Sequence, residues 1–428
     1  MIRRLLYTVA AHFALPIILL VMLWRGLTGR RNYWRDFSQR FGYGPTPSGP
    51  SIWLHAVSFG EVQAAASLVF ALRRRYPHAP MLVTTGTPTG TDRALALFAK
   101  EDVCVRYVPY DIPVFVKRFF DAVKPRVAII FETELWPNLY AECRRRGVPL
   151  VLASARISPQ SLVRYRWLRG LFRETLSKGV IVAAQGQADA ERFRSMGADP
   201  ARIHVTGNIK FDFALPADTK ARGETIRARE APNRPVWIAG STHGGEENAV
   251  LNAHRLVRAA LPSALLFLVP RHLQRFNDVA DWLDGQGVRF ARYSKGETCT
   301  LDTEVLLVDT LGELLNFYAG SDVAFVGGSI VKVGGHNLLE PAALSKPVLT
   351  GPNNFNSEDI AQLLIARGAA RIVHNAKEMA EQVGSLLVSS ETRARMGAVG
   401  RAAVDENRGS LGRLLELVSP LIEAGLKS

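Results

Sequence analysis

Apolar and polar positions divide this chain into short hydrophobic runs separated by stretches of helical period. From Ser51 the alternation is regular. Residues 51–58 (SIWLHAVS) read as a buried strand, and the following GEVQAAASLVFALRRR sets its apolar residues at helical spacing. Further apolar runs occupy 81–85, 103–110, 126–131, 149–154, 180–186 and 202–208, with helical stretches between them. Buried strands alternating with helices predict a parallel sheet covered on both faces. A polar, proline-bearing stretch at 212–234 reads as a linker. The pattern then restarts at 235–241, 264–270, 304–310, 322–329 and 346–352. The expected fold is α/β: two Rossmann-like domains, 27–211 and 235–408, whose parallel sheets face a central cleft. The final segment, 409–428, is expected to form a helix crossing back to the first domain.

The pattern before Ser51 is different. Residues 5–24 (LLYTVAAHFALPIILLVMLW) form an apolar run about long enough to span a bilayer. Tyr7 and Trp24 stand near its ends, where aromatic rings favour the membrane interface. His12 and Pro16 interrupt it. Arg3 and Arg4 precede it; Arg25, Arg30, Arg31, Arg35 and Arg40 follow it. The heavier positive side is C-terminal, which predicts a cytoplasmic body on a single anchor at 1–26. A signal peptide is the rival, but no small-residue cleavage site follows; a core or interfacial helix is the plainer alternative. At 161–173 (SLVRYRWLRGLFR) arginines alternate with Tyr165, Trp167, Leu168 and Phe172. That segment reads as a surface dipping into anionic headgroups, or as a solvated basic helix.

Composition narrows the function. The 428 residues are 47% apolar, so large cores are available and disorder is excluded. Three separated cysteines imply neither a zinc site nor a disulfide framework. Lys and Arg number 53 against 39 Asp and Glu, a net +14 that calls for an anionic partner or surface. No nucleic-acid motif accompanies this charge, so acidic lipid or a phosphorylated substrate is expected instead.

Polar residues cluster at the carboxyl ends of the predicted strands, where open α/β sheets bind ligands. HAVSFGEV (55–62) puts Glu61 at the first strand-to-helix turn, either as a group with chemistry or as a plain first-turn acid. A helix start should lower its pKa, and the side chain should project into the cleft. FETELWPN (131–138) crowds Glu132 and Glu134 at another strand end, and GNIKFD (207–212) sets Lys210 before the linker. In the second half AGSTHGGEE (239–247) is a Gly-rich loop carrying Ser241, Thr242 and His243, whose backbone N–H groups could hold an anion. VPRH places Arg271 where a guanidinium can grip phosphate. TLGELL follows another strand. In GGSIVKVGGHNLLEP, two glycine pairs precede His336, Asn337 and Glu340, and a carboxylate there can accept ribose hydroxyls. There is no GxGxxG fingerprint, no Walker loop and no acid pair placed to hold a metal.

These segments, HAVSFGEV, TTGTPTG, VPYD, FETELWPN, GNIKFD, AGSTHGGEE, VPRH and GGHNLLEPAALSKPVLTGPNNFN, resemble in order the 3-deoxy-D-manno-octulosonic acid (Kdo) transferase family over residues 50–357. The resemblance implies a GT-B fold and inverting transfer of Kdo from CMP-Kdo to an anionic lipid A precursor, at the cytoplasmic face of the bacterial inner membrane. It implies Glu61 as general base, with Glu132 and Lys210 stabilising the transition state. Pro270, Arg271, Leu311, Gly312, Glu313, Asn337, Leu338, Leu339 and Glu340 fall at its CMP-binding segments; Ser241, Thr242, His243 and His336 are candidates for the donor sugar or phosphate. Neither metal nor cofactor is implied. A GT-B enzyme using a UDP-sugar and a non-catalytic, membrane-tethered glycan-binding protein are the rival readings.

Overall fold

The computed structural model describes residues 2–28, 34–158, 161–162, 168–177 and 179–427. The chain forms two compact units, residues 1–213 with 408–428, and residues 214–407.

The first unit holds strands β1 (Ser51–His55), β2 (Met81–Thr85), β3 (Val103–Tyr107), β4 (Pro125–Phe131), β5 (Leu150–Ala155), β6 (Val180–Ala184) and β7 (Ile203–Val205). They pair in parallel in the order β3-β2-β1-β4-β5-β6-β7. Central strands are buried along nearly their whole length because helices cover both faces. One face packs Trp53, Ile130 and Leu152 under Phe119 and Phe120. The other packs Leu54 and Ile129 under the helix Phe59–Arg75 and under Leu414, Val418 and Ile422 of the last helix, Ser410–Lys427. Each fully buried aliphatic or Phe side chain contributes roughly 1.5–3 kcal/mol. Asp212 caps the last helix, accepting from Gly409 N and Leu411 N at 2.6 Å each.

The N-terminal apolar run is a helix, Ile2–Leu27, long and apolar enough to cross a membrane and almost wholly unburied. Phe13 is 77% exposed. Two bonds tie it to the unit: the Thr8 hydroxyl donates to Asn138 Oδ1 at 2.9 Å, and Trp34 Nε1 donates to the Met22 carbonyl at 3.3 Å. Of the basic aromatic segment 161–173, residues 163–167 lie outside the described residues; the remainder leads into the helix Arg169–Leu176.

The second unit holds β8 (Val236–Thr242), β9 (Leu265–Pro270), β10 (Phe290–Arg292), β11 (Val305–Leu307), β12 (Val323–Val326), β13 (Val348–Thr350) and β14 (Ala370–Ile372). Their parallel order is β10-β11-β9-β8-β12-β13-β14. Trp53 in β1 and Trp237 in β8 are both fully buried, and each donates its indole N–H inside the core, to Thr84 Oγ1 at 2.8 Å and His254 Nδ1 at 3.0 Å.

The stretch 212–234 differs from the expected linker. It contains a helix, Thr219–Glu230, packed on the helix Leu314–Gly320. Gly223 makes that contact possible, since a Cβ there would overlap Ala319 and crowd Gly320. Arg227 fastens it by an ion pair with Asp322 at 2.9 Å.

Candidate active site

Strand order reverses between β1 and β4 in the first unit and between β8 and β12 in the second. The crevice outside the carboxyl ends at such a reversal is where open parallel sheets bind ligands. Each reversal carries a residue held in left-handed backbone without being glycine: Glu132 (φ 54°) directly after β4, and Ser241 (φ 59°) at the end of β8. Such strain persists where the surroundings fix it, and it concentrates at functional sites.

In the first unit Ser58 caps the helix that follows β1, and Glu61 returns the bond. Glu61 Oε2 accepts from Val57 N at 2.8 Å and Oε1 from the Ser58 hydroxyl at 3.0 Å, a capping box. The side chain therefore folds back on its own turn rather than projecting away. Its pKa also moves opposite to the expectation from the helix start. Burial, then the neighbouring Glu132 charge, push it up to about 7; the bonds from Val57 and Ser58 and the charge of Lys210 only partly oppose them.

Glu132 pairs with Lys210, Oε1 to Nζ 3.1 Å, both partly exposed. Lys210 lies in a 3-10 turn, Ile209–Asp212, whose start is fixed by the Asn208 side chain accepting from Lys210 N at 3.0 Å. Glu134 completes a group of three carboxylates; burial, then Glu61, raise it to about 7. The structure thus brings Glu61, Glu132 and Lys210 together and adds Glu134. Asp111, which the sequence showed only as a lone acid after β3, anchors the far end of this loop. It is buried and accepts from Asn138 N at 3.0 Å and Leu139 N at 2.7 Å, capping the helix Pro137–Arg145.

In the second unit the Gly-rich turn after β8 and the loop after β12 are tied by Glu246. Its buried carboxylate accepts four backbone N–H groups: His243 (3.0 Å), Gly328 (2.7 Å), Ser329 (2.9 Å) and Ile330 (2.9 Å). The amides expected to hold an external anion are in part filled by the chain's own. The sequence could not reveal this, because three of the four partners, Gly328, Ser329 and Ile330, lie far from Glu246 along the chain.

His243 and His336 are stacked, ring centroids 5.0 Å apart, with Nε2 atoms 2.8 Å apart; His272 meets His243 edge-on. Burial lowers all three pKa values. His336, with Arg271 also nearby, falls to about 3, and burial favours the neutral form of His243 as well. Arg271 is exposed, and among the described residues its guanidinium makes no ion pair. Burial raises the Glu340 carboxyl, while Asn337 and Arg271 oppose the rise; Asn337 Nδ2 donates to Glu340 Oε1 at 3.1 Å. Arg271 and Glu340 therefore belong to one electrostatic neighbourhood. Leu311 and Gly312 are exposed, and Glu313 accepts from Asn316 Nδ2 at 2.8 Å. Pro270, Leu338 and Leu339 are buried beneath these groups. Ser241 is nearly enclosed and Thr242 fully so, its hydroxyl without a partner among the described residues. Among the described residues no three His, Cys, Asp or Glu side chains are grouped to hold a metal ion.

Two Rossmann-like units, each with its polar residues at the reversal of a parallel sheet, define the GT-B class of fold. A glycosyltransferase structure from Rickettsia africae shares this fold, with TM-score 0.55 and 14% identity over 87% of this chain and 99% of that one. Residues 35–213 match the family model described as 3-deoxy-D-manno-octulosonic-acid transferase (kdotransferase). The chain is 40% identical to the 3-deoxy-D-manno-octulosonic acid transferase of Haemophilus influenzae over 98% of its own length and 99% of the relative's. It is 38% identical to that of Bordetella pertussis, over 96% and 97%. The chain belongs to the 3-deoxy-D-manno-octulosonic acid transferase family and is a glycosyltransferase.

Proposed function

We propose that this enzyme transfers Kdo from CMP-Kdo to an anionic lipid A precursor, lipid IVA, with inversion at the anomeric carbon. The observation that carries the reading is the grouping of Glu61, Glu132 and Glu134 with Lys210 at the reversal of the first sheet, with Glu61 held at about 7. Single displacement needs one group to take the proton of the acceptor hydroxyl, and a base whose pKa lies near the working pH does so best. Glu61 takes that proton. The hydroxyl oxygen bonds to the anomeric carbon as the sugar–phosphate bond breaks, and the electron pair leaves on the phosphate of CMP. Glu132 opposes the positive charge that develops on the sugar, and Lys210, paired with it at 3.1 Å, holds Glu132 in place.

On the donor side Arg271 takes the phosphate, for which a guanidinium free of carboxylate partners is suited. Glu340 accepts the ribose hydroxyls, with Pro270, Leu311, Gly312, Glu313, Asn337, Leu338 and Leu339 forming the rest of the CMP site. Ser241, His243 and His336 lie toward the sugar. The neutral imidazole pair offers hydrogen bonds without adding charge. The apolar helix Ile2–Leu27, with arginines at both ends, anchors the chain in the bacterial inner membrane and leaves the rest cytoplasmic. Mass spectrometry of products from CMP-Kdo and lipid IVA tests the reading. Lipid heavier by whole Kdo residues, with matching release of CMP, is expected. Turnover with UDP-sugars instead, or none with CMP-Kdo, rejects it.

A further inference from the structure

We propose that the first unit carries a binding site for the phosphate headgroup of an anionic membrane phospholipid, formed where the N-terminal helix meets the helix Arg169–Leu176. The proposal rests on the reading of Ile2–Leu27 as seated in the membrane. A cavity of about 720 Å³ opens between the two helices, within the range of pockets that enclose a drug-sized ligand. Arg3, Arg169 and Arg173 line it together with Leu6, Leu168 and Leu171, and no acidic residue does.

The cations are placed rather than loose. Arg169 and Arg173 stand one turn apart on the same helix face. The Arg169 guanidinium is held by Ser195 O, to which Nε and Nη2 donate at 3.2 and 3.0 Å. Arg3 lies directly over Gly170, where any Cβ would overlap its guanidinium. Among the described residues Arg3 and Arg173 form no ion pair, so their charge is left for an outside anion. A concave site to which both helices contribute arginine and leucine matches an amphiphile whose anionic head continues into alkyl chains.

Position selects the source of that amphiphile. The lip of the cavity is formed by a helix whose other side chains, Leu5, Val9 and Phe13 among them, are exposed and apolar. In a bilayer they contact hydrocarbon, so the molecules that reach the cavity are membrane lipids. Basic pockets beside membrane helices select anionic headgroups over zwitterionic ones. A phosphatidylglycerol-like lipid brings net negative charge to the arginines; phosphatidylcholine would bring its own cation among them.

The test is native mass spectrometry of the full chain in neutral detergent, titrated separately with phosphatidylglycerol and phosphatidylcholine. The parent should bind phosphatidylglycerol at least about tenfold more tightly. Removing two cations in Arg3→Gln/Arg173→Gln should weaken it about 30-fold while leaving phosphatidylcholine unchanged. Gly170→Leu, which displaces Arg3 and fills the cavity without removing charge, should also weaken it; Arg395→Gln, an exposed arginine of the second unit, should not. Melting in phosphatidylcholine checks that each variant is folded, and the arginine pair alone decides if Gly170→Leu is not. No headgroup preference in the parent, or equal losses in the arginine pair and the Arg395 control, would overturn the site. So would tighter, one-for-one displacement of phosphatidylglycerol by the lipid A precursor, which would make the cavity a substrate site. No step uses CMP-Kdo, so failure of the proposed transfer leaves this result standing, and the converse holds.

Discussion

Glu61→Gln separates the two consequences of the Glu61 setting, one for chemistry and one for stability. Burial and Glu132 hold the folded carboxyl at about 7, against an ordinary 4.5. Between those values the folded chain keeps a proton that the unfolded chain has released. The folded state therefore binds more protons in that window, and stability falls as pH rises through it, then levels off above 7. The full penalty is on the order of 3 kcal/mol. Gln carries no charge and escapes it. Gln also weakens the capping box with Val57 and Ser58, at a cost of about 1 kcal/mol. The variant should therefore match the parent at pH 5 and exceed it by about 2 kcal/mol at pH 8. A domain of this size melts about 2–4 °C higher for each kcal/mol gained. Turnover at pH 8 should fall by about 10²–10⁴-fold, the scale for a lost general base, and the difference from the parent should shrink at pH 5, where Glu61 of the parent is itself largely protonated. The assay pairs thermal melts of the detergent-solubilised protein at pH 5 and 8 with product formation. If Glu61 were only a helix cap, Gln would be less stable at every pH. A melting offset that is negative at pH 8, or identical at both, refutes the reasoning.

Two further outcomes follow from the same geometry. The acid limb of kcat/KM should lie near pH 7 in the parent, because Glu61 must be ionised to act; it should move to lower pH in Glu132→Gln and to higher pH in Lys210→Met, since Glu132 raises the Glu61 pKa and Lys210 lowers it. Limbs moving together in the residual activity of the two variants would disprove that coupling. Calorimetry should show Glu340→Ala weakening CMP by about 1–3 kcal/mol. Arg271→Ala should weaken CMP far more than cytidine, and equal losses for the two ligands would mean that Arg271 does not meet phosphate.

Much of the fold is legible in the sequence, and its misses have physical causes. The inner strands of the first sheet stand out because burial on both faces makes them nearly continuous apolar runs. In the second sheet β10 and β14 escape notice: each is three residues long, lies at an edge, and is interrupted by a partly exposed arginine, Arg292 or Arg371. The helix Thr219–Glu230 is hidden by its composition, since its packing relies on the absence of a side chain at Gly223. Glu61, Glu132 and Lys210 were readable as polar residues at strand ends. The direction of the Glu61 pKa was not, because a helix start favours the carboxylate while burial and Glu132 oppose it more strongly. Local pattern supplies the first effect; only the fold supplies the others.

The two reversals differ in charge in a way that suits the two halves of the proposed reaction. In the first unit, three carboxylates face one lysine. That negative balance raises proton affinity where a proton must be received. In the second unit the acid at the Gly-rich turn is already neutralised, because Glu246 spends its charge on four backbone amides. The consequence reaches the donor. Those amides are occupied, and the nearby histidines are kept neutral by burial. Positive charge for a phosphate must then come from a side chain, and Arg271 is exposed beside Glu340 to supply it. A loop of free amides would hold phosphate equally before and after transfer. A single exposed guanidinium can meet the charge as it grows on the departing CMP, and stabilisation that increases toward the transition state is the kind that accelerates a reaction.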